Sequence, residues 1–326
     1  MAKKDIKEIL RKVNQFDITE DTDIVELINS LKDTGFNAKR LALACEIYND
    51  MINDRKCIKF FGLAGAMVPV GMQKIIYNFI KEDFIDILVT TGANLTHDLA
   101  EALGFHHLQG DIQSKDIDDS DLHKEDINRI FDVFMPNKIY EGIEDFVSKL
   151  KIPDMQMSVS SFLKFLGDQL PKNSCSILQI CAEKKIRIFC PAFTDSGLAM
   201  QLGFHHQKLN LNHFADMLEM VNLAWDAKTA GICIVGGGVP KNFIMQSLQF
   251  CPNSAMYAIQ ITMDRPEPGG LSGATLRESI SWGKINESAK YSTIISDATI
   301  ALPLIFWFLK KSKKNQNKDI KFLEYI

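Results

Sequence analysis

The chain has 326 residues, 46% of them hydrophobic, and a formal net charge of −4. That is enough apolar content to bury a full core as one large α/β domain or two smaller lobes, and the mild acidity excludes a surface built for nucleic acid, which needs a basic excess on one face. The seven cysteines are odd in number and lack CxxC spacing, the pattern of reduced thiols; no apolar run approaches the roughly 20 residues of a membrane span and the N-terminus is charged, so a soluble, cytoplasmic protein without a membrane partner is expected.

Apolar positions at helical spacing, Ile6, Ile9, Leu10 and Val13 and then Ile24, Leu27, Ile28 and Leu31, predict an N-terminal helical region over residues 1–55. From Cys57 the pattern changes. Short apolar runs at 58–63, 85–89, 186–190, 232–235, 257–261 and 292–295 predict buried strands, most of them followed by a glycine or Asp/Ser turn and a helical pattern. Such alternation implies an α/β fold over residues 56–326: a doubly wound, mostly parallel, Rossmann-like sheet flanked by helices. The stretch from about 109 to 153, opened by Asp111, Asp116, Asp118, Asp119 and Asp121, is more polar and is expected to be a helical insertion. Lys310, Lys311, Lys313, Lys314, Lys318 and Lys321 crowd the C-terminus, as at a solvated helix end and tail.

In an open α/β sheet a ligand lies beyond the carboxyl ends of the strands, so the strand-to-helix turns carry the chemistry. Residues 232–241 run from a buried strand through Gly236, Gly237 and Gly238 to Pro240, which suits the first turn of a helix. Glycines there let backbone N–H groups approach a phosphate at the positive helix end, although a turn needed only for tight packing has the same composition. Thr90, Thr91, Gly92, Ala93 and Asn94 form a second turn, and Thr194, Asp195, Ser196 and Gly197 a third. Asp195 can accept bonds from ribose hydroxyls or cap the following helix.

The sequence Leu-Gly-Phe-His-His occurs twice, ending at His106–His107 and again at His205–His206. Adjacent histidines diverge and no carboxylate or cysteine stands at ligand spacing, so packing or hydrogen bonding is expected and no metal. His97 differs, because it lies where a helix leaves the ligand-facing edge. Residues 266–275 form a Gly/Pro-rich loop leading to Glu278 and to Ser281, Trp282, Gly283 and Lys284. A lysine beside tryptophan is a candidate nucleophile if an apolar setting frees its amine; by residue type alone a solvated surface charge is the commoner case.

From about Cys57 to the last helix the chain resembles the deoxyhypusine synthase family. The resemblance is carried by Leu88-Val89-Thr90-Thr91, Asp126-Ile127-Asn128-Arg129-Ile130, Pro191-Ala192-Phe193-Thr194-Asp195, the three-glycine turn, Ser272-Gly273-Ala274, Ser281-Trp282-Gly283-Lys284-Ile285, Asp297-Ala298 and Leu302-Pro303-Leu304. It implies NAD-dependent transfer of a 4-aminobutyl group from spermidine, through an imine on Lys284, to an acceptor amine, which in the protein-modifying members is a lysine of the hypusine-containing translation factor. It also implies a homotetramer with active sites at a dimer interface. Thr91, Gly92, Asp195, Gly237, Gly238 and Asp297 then touch NAD, and Ser272, Glu278 and Trp282 line the polyamine pocket.

Departures from the family pattern fall in that pocket. A catalytic histidine is replaced by Asn242, a pocket glutamate by His97, two amine-binding aspartates by Met200 and Leu271, and a cofactor-side asparagine by Ala66. Either His97 takes over proton transfer, or the substrate has changed and the remaining acids Glu278, Asp98, Asp264 and Glu267 bind a differently spaced amine. A free diamine as acceptor would give homospermidine. Other readings are a noncatalytic NAD-binding homologue and an ordinary amine dehydrogenase.

Overall fold

The computed structural model describes residue 10, residues 12–110 and residues 117–313. Ile6, Ile9, Asp111, Asp116, Lys314, Lys318 and Lys321 of the expectations above lie outside the described residues. In chain order the elements are α1 (Ile24–Leu31), α2 (Phe36–Asn53), β1 (Cys57–Leu63), α3 (Gln73–Lys81), β2 (Ile87–Thr90), α4 (Gly92–Ala102), β3 (Leu108–Gln109), α5 (Asp119–Lys124), β4 (Ile127–Ile130), β5 (Val133–Pro136), α6 (Lys138–Ser148) and β6 (Met157–Ser158). They continue with α7 (Val159–Asp168), α8 (Ile177–Lys184), β7 (Arg187–Phe189), α9 (Gly197–His205), β8 (Leu211–Asn212), α10 (His213–Asp226), β9 (Thr229–Val235), α11 (Gly238–Gln249), β10 (Ala255–Thr262), α12 (Glu278–Ser281), β11 (Ile285–Ile295) and α13 (Ala298–Ser312).

Six strands form one parallel sheet in the order β11-β10-β9-β1-β2-β7. Numbered by their own succession these strands run 6-5-4-1-2-3, so the winding reverses between β1 and β9. A crevice opens at such a reversal because the two connecting helices leave to opposite faces. Both faces are covered, which is why the strands read as nearly continuous apolar runs. On β1, Phe61 enters a core with Tyr48, Phe79, Phe84 and Phe306, while Phe60 enters a second core with Ile232, Ile234, Ile244 and Leu248. Each such fully buried side chain contributes roughly 1.5–3 kcal/mol. Beneath them Lys59 and Asp86 form a buried ion pair at 2.6 Å, 3% and 1% exposed, which ties β1 to the start of β2.

Local chemistry fixes the helix ends. Asp23 accepts the N–H groups of Val25 and Glu26, and Glu26 reaches back to the Asp23 N–H, a capping box that starts α1. The six strands expected from apolar runs are all present.

Two expectations need correction. Leu10 and Val13, expected on a helix, are not helical, since residue 10 and residues 12–19 form no regular element and the first helix among the described residues is α1. Residues 109–153 are not simply a helical insertion: β3, β5 and β4 form an antiparallel sheet beside α5 and α6. Strands of two to four residues are too short to show a period-two pattern, and the surrounding aspartates concealed them. The crossover from β10 to β11 is also unusual, because residues 263–284 return along the α11 face with only the single turn α12.

Candidate active site

At the sheet's carboxyl edge the turns after β1 and β2 are locked together. The Thr90 hydroxyl donates to the Leu63 carbonyl at 3.1 Å, and the Val68 N–H donates to the Asn94 side chain at 3.3 Å. Thr91 caps α4 by accepting the Asn94 N–H. Gly92 is required for packing, since a Cβ there would lie 2.5 Å from that of Ser196 in the turn after β7. In that turn Ser196, not Asp195, caps α9, accepting the Ala199 N–H at 3.2 Å. The Asp195 carboxylate is thereby left exposed at the edge. Asp297 caps α13, accepting from the N–H and hydroxyl of Thr299 at 2.7 Å each. Asp195 and Asp297 follow the two outermost strands, five spacings or roughly 24 Å apart, so they mark opposite ends of the edge.

The glycine turn sits on the reversal point, directly after β9. Gly236 and Gly238 have φ of 71° and 55°, in the left-handed region that favours glycine. A Cβ on Gly237 would come within 2.4 Å of the Ser272 Cα, so the Gly/Pro loop closes directly on this turn. The Gly238 N–H donates to the Ser272 hydroxyl at 3.0 Å. Ser272, expected in the polyamine pocket, is thus bonded to the glycine turn. Gly62 on β1 allows α11 to approach: a Cβ there would meet Ile244 at 3.2 Å and the Lys241 backbone at 3.7 Å. Close helix-to-strand contact, left-handed glycines and a helix N-terminus together suit a pyrophosphate.

Lys241, only 4% exposed, organises the loop. Its ammonium donates to the Gln260 side chain at 3.0 Å, the Leu271 carbonyl at 3.0 Å and the Ala274 carbonyl at 2.5 Å. The Gln260 amide in turn donates to the Gly236 and Ser272 carbonyls at 2.9 and 2.8 Å. One buried network therefore joins β10, the glycine turn and the loop. Burial pushes the Lys241 amine down to about 8, Glu278 opposes that shift, and Lys284 adds to it. Glu278 and Lys284 are thus close enough to act on the same buried amine. Sequence reasoning missed Lys241 and Gln260 as a unit; the available signal was a glutamine inside the apolar run of β10.

Lys284 leaves the backbone immediately before β11, and its N–H donates to the Ser279 carbonyl. Its backbone carbonyl accepts the Ala255 N–H at the start of β10, far from the sheet's carboxyl edge, so only its long side chain points back toward the network. The amine lies 4.9 Å from the Trp282 ring centroid. The dry setting expected there is absent within one chain, since Trp282 is 56% exposed and its face attracts a cation. Asp264, on the same loop, lines a cavity of about 440 Å³ with Thr262, Arg277 and Tyr291.

His97 belongs to a different cluster. Its Nδ1 is 2.9 Å from Nε2 of His107, whose Nδ1 is 2.7 Å from Glu101. Burial, with His107 adding to it and Glu101 opposing, lowers the His97 imidazole to about 4. Among the described residues no hydrogen bond, ion pair or ring contact joins His97 to Lys284 or Asn242 within one chain, and the half-buried Asn242 side chain makes no hydrogen bond. Asp98, considered above as an amine binder, is unavailable: it is fully buried and accepts from Gln73, Ser176, Ile177 and Leu178 at the N-terminus of α8. The second histidine pair is structural, His205 bonding Glu144 and His206 the Val147 carbonyl. Among the described residues no three His, Cys, Asp or Glu side chains gather to hold a metal ion, and no helix is long and apolar enough to cross a membrane.

Comparison with known proteins agrees with this architecture. A family model described as deoxyhypusine synthase matches residues 26–308. The "probable deoxyhypusine synthase 1" of Methanosarcina acetivorans is 45% identical over 292 residues, covering 88% of this chain and 91% of its own. A relative of the same description from Archaeoglobus fulgidus is 38% identical over 299 residues, 91% of this chain and 97% of its own. Among solved structures the fold is similar to that of a "putative deoxyhypusine synthase" from Entamoeba histolytica, with TM-score 0.64 and 19% identity over 94% of this chain and 100% of that one. On the family match and these identities, the chain belongs to the deoxyhypusine synthase family of transferases.

Proposed function

We propose that the protein catalyses NAD-dependent transfer of a 4-aminobutyl group from spermidine, by way of an imine on Lys284, to a lysine of a hypusine-type translation factor. The supporting observation is the Lys241–Gln260 network, which ties the glycine turn to the loop that runs on to Lys284. A phosphate-binding turn and a reactive amine are thereby positioned by the same buried groups.

The glycine turn at Gly237 and Gly238 lets a pyrophosphate approach the start of α11, with the Gly238 N–H already donated to Ser272 and the other N–H groups of the first turn facing the ligand; the exposed Asp195 carboxylate fits a ribose, and Thr91, Gly92 and Asp297 complete the edge. NAD bound there supplies the acceptor for a hydride from the carbon beside the secondary amine of spermidine, and later returns it. The Lys284 amine adds to the resulting substrate imine and expels 1,3-diaminopropane, leaving the four-carbon arm on Lys284. The acceptor amine then adds to that imine and releases Lys284, and the new imine on the acceptor is reduced by the returned hydride. Trp282 orients the Lys284 amine, and Glu278 offers a carboxylate to a polyamine ammonium. Among the described residues no bond or ring contact links His97 or Asn242 to Lys284 within one chain, so on this reading a second copy, in the homotetramer that the resemblance implies, brings them together.

A free diamine is the second acceptor class, favoured by the apolar, exposed Met200 and Leu271 at positions where the resemblance would place amine-binding acids. Incubation with spermidine and NAD, with the translation factor or with putrescine, separates the two by product mass. Borohydride should trap a mass adduct on Lys284 that Lys284→Arg abolishes. No adduct with any polyamine in the presence of NAD would overturn the proposed function.

A further inference from the structure

His97 ends a chain of hydrogen bonds whose polarity can be read from its far end. Glu101 accepts from three donors: the His107 N–H at 3.1 Å, the His107 ring at 2.7 Å and the His106 ring at 2.9 Å. Burial alone would raise the carboxyl, but the bonds from the two histidines outweigh it and hold Glu101 down at about 2. An ionised carboxylate has no proton to give. His107 must therefore carry its proton on Nδ1, and in its neutral form it presents a lone pair at Nε2. The group 2.9 Å from that lone pair is Nδ1 of His97, which must then be the donor. Its other nitrogen, Nε2, is left with a bare lone pair, and among the described residues no protein group bonds it. The His107 side chain is only 4% exposed and Glu101 22%, so the chain is held by packing as well as by bonds.

We infer that Glu101 and His107 are positioning residues that lock His97 in the tautomer with a bare Nε2, so that neutral His97 accepts a hydrogen bond from the N–H of the amine substrate. This deepens the proposed function and rests on it for the identity of the amine. Burial keeps the imidazole neutral, at about 4, so it takes no proton from an ammonium. The substrate's secondary ammonium gives one proton to water as it enters the site, and the remaining N–H of the neutral amine donates to Nε2 of His97. That bond holds the nitrogen lone pair alongside the adjacent C–H bond from which the hydride leaves, and the departing diamine regains its proton from water. A carboxylate orienting a catalytic imidazole is the logic of hydrolase triads, here with one more histidine interposed.

The test uses the full-length protein labelled with ¹⁵N at its seven histidines, at pH 8, with His97 assigned from a His97→Asn variant. Wild-type His97 should show a protonated Nδ1 and an unprotonated Nε2. His107→Phe keeps a ring but removes the acceptor; it should move proton density to Nε2 of His97 and lower kcat about 100-fold, with KM changed less than about threefold. Glu101→Gln, which keeps one acceptor oxygen, should give an intermediate loss and guards against misfolding of the first variant. A wild-type His97 protonated on Nε2 overturns the inference, as does a folded His107→Phe or Glu101→Gln protein with unchanged tautomer and turnover. Absence of any aminobutyl transfer by wild type would instead refute the proposed function, while the tautomer would still be decided by the spectrum.

Discussion

Lys241→Met should detach the Gly/Pro loop from the sheet. The substitution keeps an unbranched apolar stem but strands three acceptors, the Gln260 side chain and the Leu271 and Ala274 carbonyls, at 2.5–3.0 Å from the lost ammonium. Hydrogen bonds from a charged donor contribute roughly 1.5–3 kcal/mol each, yet they are not additive and relief of the buried charge offsets part of the loss. The expected net loss is about 3 kcal/mol at pH 7, measured by urea unfolding. Limited proteolysis should cut the variant within residues 263–275 faster than wild type, and aminobutyl transfer should fall with it. A pH signature accompanies this. The folded-state amine titrates near 8 instead of 10.5, so the unfolded chain binds more protons between those values and wild-type stability rises with pH across that window. The rise is absent in the variant. A stability loss below about 1 kcal/mol, with unchanged proteolysis, would refute the assignment of Lys241 as the loop's anchor.

Gly237→Ala should weaken NAD binding more than tenfold by calorimetry, because its Cβ would lie 2.4 Å from the Ser272 backbone and force the loop off the glycine turn. Asp195→Ala should raise the NAD Kd about 10- to 100-fold without changing Tm, since Ser196 and not Asp195 caps α9. Asp216, 4% exposed, accepts the Ser160 N–H, and burial pushes its carboxyl up to about 6 from 3.8. The folded chain therefore keeps this proton to higher pH than the unfolded one, and stability present below about pH 4 is lost as pH rises through 6. Asp216→Asn should match wild type at pH 4 and exceed it by on the order of 2–3 kcal/mol at pH 8 in denaturant titrations.

The sequence alone determined the layered α/β fold, because strands buried on both faces appear as short apolar runs whatever their neighbours are. It also marked the glycine turn, since left-handed backbone at Gly236 and Gly238 requires that residue type, and it singled out Lys284 through the motifs around it. Local pattern failed where elements were too short to show a period, as in β3, β4 and β5. Only the tertiary structure decided which polar groups are available. Asp98 is chemically suited to an amine, yet its carboxylate is consumed by the start of α8 and by Gln73, whereas Ser272 accepts the Gly238 N–H and keeps its own O–H and a second lone pair. Asp195 was balanced between cap and ligand until Ser196 took the cap. Lys241 and Gln260, or Glu101, His107 and His97, become single units only through contacts between distant segments or adjoining turns. A side chain's type is written locally, but its bonding capacity is shared with whatever the fold brings within about 3 Å.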